Sequence, residues 1–173
     1  MYRAVPGLRS LLKNFLASLF GLLVGVALIE AVLAVLIPPP LHYRYPQPLY
    51  DRDDRLGWIM KPQQHAHAID RPVITNPLGL RSPEVAPRKQ PGELRVVCLG
   101  DSQAFGKGVA HDQTYPARLQ AVLAARDGSR PIEVVNTGVQ GYDPVQEIEL
   151  LQRLAPTLQP DIVTIGIYLN DMG

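Results

Sequence analysis

The sequence predicts an α/β domain on a parallel sheet, carried behind an N-terminal apolar helix. Three observations predict it. Residues 15–37 are one long apolar run, residues 38–91 hold eleven of the seventeen prolines, and from Leu94 onward short apolar runs alternate with helix-like stretches in the order β-α-β-α-β. The 173 residues allow one ordinary domain plus an anchor. The net charge of +1 provides no bulk field for nucleic acid, so no nucleic-acid partner is expected.

The run from Phe15 to Ile37, FLASLFGLLVGVALIEAVLAVLI, is apolar except for Ser18 and Glu30. As a helix rising about 1.5 Å per residue it covers roughly 34 Å, enough to cross a bilayer. It is too long for the apolar region of a secretory signal and runs into Pro38-Pro39-Pro40 without a small-residue cleavage motif, so retention as an anchor is expected. Arg3, Arg9 and Lys13 precede it, whereas Arg44 is the first basic residue after it. The cationic flank predicts a cytoplasmic segment 1–14 and an extracytoplasmic domain in a single-pass protein of the cell membrane. Gly21 and Gly25 have the small-xxx-small spacing that suits a helix-mediated dimer, and Glu30 sits close enough to the outer end to snorkel or stay protonated.

Residues 38–92 read as a proline-rich linker and lead-in, because that proline density excludes a long helix. Within it, Leu56-Gly57-Trp58-Ile59-Met60 and Val73-Ile74-Thr75-Asn76 are expected to add edge strands or a flap to the main domain. His65-Ala66-His67 has the alternate spacing that puts two imidazoles on one face of a strand, but only Asp70 stands near as a third ligand. An exposed polar loop is expected there, and no metal.

In residues 93–173 the first strand is Leu94–Leu99, apolar enough to be buried on both faces. Thr114-Tyr115-Pro116 opens a helix whose inward stripe is expected to be Leu119, Val122 and Leu123. A second strand, Ile132–Val135, leads to Asn136-Thr137-Gly138. Asp143-Pro144-Val145-Gln146 opens a second helix with a capping-box spacing; its expected stripe is Val145, Ile148, Leu151 and Ala155, with Pro156 as its stop. The third strand covers Asp161–Tyr168 and runs to Leu169-Asn170-Asp171. Parallel pairing brings all three strand ends to one edge.

The loop VCLGDSQAFGKG, Val97–Gly108, leaves the first strand at that edge. A Walker loop needs four residues between its first glycine and its Gly-Lys pair; Gly100 to Gly106 encloses five, and Gly108 stands where Ser or Thr should hold magnesium. The dinucleotide spacing fails from Gly100 as well. What remains is a serine directly after a strand, Ser102, placed to act as a nucleophile. Gly-Asp-Ser alone is ordinary turn chemistry. Gly138 after the second strand and Asn170 after the third bring to the same edge the donors that an oxyanion needs. The single cysteine, Cys98, reads as a packed core thiol and excludes an internal disulfide or a cysteine-based metal site.

Ser102 in Gly-Asp-Ser, Gly138, and Asn170 in Asn-Asp appear in the order found in the SGNH, or GDSL-type, hydrolases, and the chain resembles that family from Arg95 to Asp171. The resemblance implies a flavodoxin-like three-layer α/β/α fold and ester hydrolysis or acyl transfer without a cofactor. Ser102 would be the nucleophile. The backbone N–H groups of Ser102 and Gly138 and the Asn170 amide would line the oxyanion hole, with Asp101 and Asp171 in supporting roles. NPLGLRSPEV together with LRVVCLGDSQAFGKGV is also similar to membrane-anchored bacterial members with a proline-rich lead-in.

The match departs in one place. The family's general base is a histidine with an aspartate three residues before it, in a block beyond the Asn-Asp motif, and the sequence given reaches Gly173 first. The expectation is truncation of the hydrolase domain, leaving the chain as given nearly inactive. His111, the histidine nearest Ser102 in sequence, is expected to be a surface residue. The expected activity is hydrolysis of an acyl ester outside the cytoplasm through an acyl-enzyme. The alternatives are O-acyl transfer to an envelope polysaccharide by the same residues, or a non-catalytic membrane-anchored protein.

Overall fold

The computed structural model of the chain describes residues 7–37 and 45–168. They fall into two compact units, Met1–Pro40 and Leu41–Gly173. The first holds α1, Leu8–Leu36, a helix of 29 residues with none buried. At 1.5 Å per residue it is about 43 Å long, and among the described residues it is the one helix long and apolar enough to cross a membrane. It starts earlier than the apolar run at Phe15, because Leu8–Asn14 contains no helix breaker and Ser10 Oγ donates to the Gly7 carbonyl at 2.8 Å across the first turn. A helix apolar on every side needs an apolar surround. A Cβ added at Gly21 or Gly25 would meet nothing within 4 Å.

The second unit begins with two antiparallel hairpins. β1, Tyr50–Asp53, pairs with β2, Gly57–Met60, and β3, His65–Ala68, pairs with β4, Arg71–Ile74. The main sheet is parallel and contains β5, Leu94–Gly100, β6, Ile132–Asn136, and β7, Ile162–Gly166, in the order β6-β5-β7. Of the expected edge strands or flap, the edge strands are therefore not found: the lead-in strands pair with one another in two separate hairpins and not with the main sheet. At the first hairpin turn, Asp53 Oδ1 accepts the Arg55 and Leu56 N–H groups at 3.0 and 2.9 Å, which fixes a short connection. Nor is the lead-in only a spacer. Leu56, Met60, Ala68 and Val73 are buried in one cluster with Phe105, Val139, Tyr142 and Leu150 from the later half of the chain.

The helices after β5 are α2, Ser102–Phe105, α3, Tyr115–Arg126, and α4, Pro144–Leu158, with a 3-10 turn at His111–Gln113. Period-two alternation in β5 sends its side chains to opposite faces. Val96 and Cys98 pack with Val134 against Leu119 and Leu123 of α3, while Val97 and Leu99 pack with Val135 against Leu158, Leu151 and Leu154 of α4. The result is a mixed α/β fold with a parallel core sheet and a helix on each face.

Three expectations about these helices are corrected. Val122 is exposed, so the inward stripe of α3 is Leu119 and Leu123. Helix α4 buries Glu147, Leu150 and Leu158, leaving Val145 75% and Ile148 46% exposed; its inner face is set by the residues that reach β5 and the lead-in core. Pro156 does not end that helix, which continues to Leu158 and closes at Gln159 with φ +47. Proline this near the end removes one backbone bond, and the complete burial of Leu158 holds the last turn in place. β7 closes at Gly166, two residues before the expected Tyr168.

Candidate active site

Parallel register aligns the strand ends. Cys98 stands opposite Asn136, and Gly100 opposite Gly166. Pairing continues past β6: Thr137 N–H donates to the Cys98 carbonyl at 3.0 Å and Val139 N–H to the Gly100 carbonyl at 3.1 Å. The loops that begin with Asp101 and Thr137 therefore leave the same sheet edge side by side. Asn170 and Asp171, expected at this edge after β7, lie outside the described residues.

Ser102 is the first residue of α2 and is partly buried. Asp101, almost fully buried, caps the turn by accepting the Gln103 N–H at 2.8 Å, and Ser102 Oγ donates to its other carboxylate oxygen at 3.4 Å. Asp101 thus holds the turn that carries Ser102. Ser102 N–H finds no acceptor among the described residues. Gly100 is required by space, since a Cβ there would lie 2.6 Å from Ala104 Cβ. Gly106 ends the helix at φ +83, the left-handed conformation that glycine adopts without strain, and a Cβ there would lie 2.4 Å from Thr114 Cγ2.

Gly138 is brought to α2, but with a different contact from the one expected. Its N–H donates to Asn136 Oδ1 at 2.9 Å, so it is already engaged, while Asn136 Nδ2 donates to the Ala104 carbonyl at 2.9 Å. A Cβ at Gly138 would lie 2.3 Å from Phe105 N and 2.7 Å from the Ala104 carbonyl carbon, so only glycine lets the two loops touch. Farther along the same loop, Gly141 is exposed and its N–H has no acceptor among the described residues. Asn136 and Gly141 were legible only as an asparagine closing a strand and a second glycine three residues after Gly138; neither signal separates them from turn residues.

The lead-in forms a wall beside this loop. Trp58 Nε1 donates to the Gln140 carbonyl at 3.3 Å, Gln140 Nε2 to Tyr50 Oη at 3.2 Å, and Gln146 Nε2 to the Leu56 carbonyl at 2.7 Å. Tyr50, Trp58, Gln47, Gln140 and Lys107 line a cleft of about 740 Å³. Lys107 follows the Gly106 cap of α2, and its N–H donates to the Ser102 carbonyl at 3.0 Å.

His111 is exposed on the 3-10 turn. Partial burial of its ring and the Arg81 charge push its pKa down, against a weaker pull from Asp112. No hydrogen bond joins it to Ser102 among the described residues. His65 and His67 do lie on one strand at alternate positions, with the His67 ring stacked on Tyr45 at 4.7 Å, and no group of three metal-capable side chains occurs among the described residues. Cys98 is a core thiol whose pKa burial pushes up.

Two comparisons bear on this site. Residues 98–173 match the model of the GDSL-like lipase/acylhydrolase family, so a GDSL-like lipase domain is present over the stretch that contains the serine turn and the Gly138 loop. Among curated proteins, none matches the chain.

Proposed function

We propose that this chain is a serine-dependent ester hydrolase of the SGNH/GDSL type, anchored in the membrane by its N-terminal helix and acting outside the cytoplasm. The observation that carries the reading is Ser102 on an Asp101-capped turn at the carboxyl end of the central strand, pressed against the Gly138 loop. In the first step Ser102 Oγ attacks the ester carbonyl and gives its proton to a base. The tetrahedral oxyanion collapses, the alcohol leaves with that proton, and acyl-Ser102 remains; water then reverses the sequence and releases the acid.

The oxyanion would take the Ser102 N–H, the Asn170 amide and one backbone N–H of the 137–142 loop. Gly138 would provide that third donor by releasing Asn136, and farther along the loop the Gly141 N–H has no acceptor among the described residues. Among the described residues no histidine bonds Ser102; the family resemblance assigns the base to a block beyond the Asn-Asp motif. The flanking Arg3, Arg9 and Lys13 favour a cytoplasmic N-terminus.

A second reading is O-acyl transfer, in which a sugar hydroxyl replaces water as the acceptor. It is favoured by the cleft beside the Gly138 loop, where Tyr50 and Trp58 offer aromatic surface and Gln47 and Gln140 offer amides, groups that suit a polysaccharide. A non-catalytic role is the outcome if no chemistry is found. The test is fluorophosphonate labelling of the natural full-length protein: the adduct should map to Ser102 and vanish in Ser102→Ala. Failure of wild-type protein to label removes the esterase and transferase readings together. Release of free acid against transfer to an added oligosaccharide separates those two.

A further inference from the structure

The stretch Asn76-Pro77-Leu78-Gly79-Leu80-Arg81 belongs to the lead-in, yet it folds as a tight, internally bonded turn. Asn76 Oδ1 accepts the Leu78 and Leu80 N–H groups at 2.9 and 3.0 Å, Asn76 N–H donates to the Leu80 carbonyl at 2.9 Å, and Asn76 Nδ2 donates to the Pro83 carbonyl at 3.0 Å. Gly79 fits because a Cβ there would stand 2.4 Å from the Met60 carbonyl oxygen. The turn delivers Arg81 into the interior, where the residue is 1% exposed.

Arg81 has no ion-pair partner among the described residues; its charge is met by carbonyl oxygens. Nη1 donates to the Phe105 and Gly106 carbonyls at 2.9 and 2.6 Å, and Nη2 to the Val109 and Pro72 carbonyls at 2.8 and 3.2 Å. The guanidinium also lies 5.1 Å from the Phe105 ring centroid. Two of these acceptors are the last carbonyl of the helix that begins with Ser102 and the carbonyl of its Gly106 cap, and a third, Val109, lies in the loop after it. A buried guanidinium in place of an apolar side chain is costly to desolvate, and its planar fork suits several carbonyls at once. Packing alone would be met by leucine or methionine. The feature that requires arginine is the set of carbonyls, and they belong to the nucleophile turn.

We infer that Arg81 is a positioning residue for Ser102, gripping the far end of the nucleophile helix so that the serine hydroxyl and N–H hold their places at the sheet edge. The inference rests on the reading of Ser102 as nucleophile. It makes the Asn76–Arg81 turn part of the catalytic apparatus. Misplacing a reacting atom by about 1 Å costs up to roughly a hundredfold in rate, so loss of the grip should slow acylation by between about tenfold and a hundredfold.

The test compares wild type, Arg81→Lys and Arg81→Ala in the natural full-length protein. Three quantities are read: the rate of fluorophosphonate labelling of Ser102 per folded molecule well below the thermal midpoint, amide exchange over residues 102–109, and the midpoint itself. Arg81→Ala should label at least about tenfold more slowly and exchange faster over 102–109, while the amides of β5 and β6 stay protected. Arg81→Lys, which keeps the charge but not the fork, should fall between and covers the case in which the alanine variant does not fold. Guanidinium ion should restore part of the alanine variant's labelling rate; urea should not. A lowered midpoint with an unchanged labelling rate per folded molecule would make Arg81 a stability residue only and overturn the inference. Absence of labelling in wild type would remove the nucleophile reading first and this inference with it, whatever the exchange data show.

Discussion

The side-chain oxygen of Asn136 accepts the Gly138 N–H at 2.9 Å, and the nitrogen of the same amide donates to the Ala104 carbonyl at 2.9 Å. One buried side chain thereby joins the loop after β6 to the helix that carries Ser102. Asn136→Ala should leave two buried backbone groups without partners, at a cost of roughly 1–3 kcal/mol each. Asn136→Asp keeps an acceptor for Gly138 but brings a second acceptor to the Ala104 carbonyl, so it should also destabilise. Denaturant midpoints of the three proteins check this, and equal midpoints for wild type and Asn136→Ala would contradict the bracing.

Gly138 and Gly141 should respond differently to the same change. Gly138→Ala puts a Cβ 2.3 Å from Phe105 N, a backbone atom that moves only with the helix that begins with Ser102. Labelling of Ser102 should fall by at least about tenfold with the serine still present. Gly141→Ala meets only the Trp58 ring at 3.3 Å, with φ +80 as its burden. It should cost about 1–2 kcal/mol of stability and keep most of the labelling rate, since alanine retains the N–H. The reverse order of the two rates would mean that the close approach at Gly138 is not what holds the helix.

The succession of strands and helices, the serine turn and the parallel connection that carries strand ends to one edge were legible because they follow from apolar runs and glycine placement. The faces of α4 were not. Val145 and Ile148 look like core on helical spacing, but Glu147 takes the inward position, and periodicity cannot rotate a helix when a carboxylate is buried. The packing of the lead-in was not legible for a related reason. Its prolines correctly exclude long helices, yet nothing local announces that Arg81 finds three of its four acceptors 24 to 28 positions later, or that Trp58 meets Gln140. Topology brings the Gly138 loop against Ala104 and Phe105 of the helix that begins with Ser102; that the Gly138 N–H is engaged depends on a side-chain rotamer of Asn136, which sequence spacing does not specify.

Asp53 ties the first hairpin to α4, with Arg153 Nη1 and Nη2 donating to its two oxygens at 2.6 and 3.0 Å. That pair, with the Leu56 and Arg55 N–H groups, holds the Asp53 carboxyl well below the usual carboxylate range. A depressed folded pKa contributes stability above the unfolded value and loses it as pH falls toward the folded one. Arg153→Met should therefore melt below wild type at neutral pH, and the gap should close as the pH drops below 3.8, the ordinary value for aspartate. A gap that stays constant through that range would show that the arginine acts by packing alone.

Asn170, four residues past the end of β7, is the proposed donor whose contribution is cleanest to measure, because its amide would meet the oxyanion through a side chain. Removing one such donor from an acyl-transfer site slows turnover by roughly a hundred- to a thousandfold. Asn170→Ala in the natural full-length protein should show that loss in kcat on a simple acyl ester, with KM near wild type, because the donor acts on charge that develops only in the transition state. Asn170→Asp should lose more than the alanine variant, since a carboxylate would oppose the oxyanion. A rise in KM with kcat preserved would instead make Asn170 a ground-state binding residue and leave the oxyanion to the backbone donors of Ser102 and the 137–142 loop.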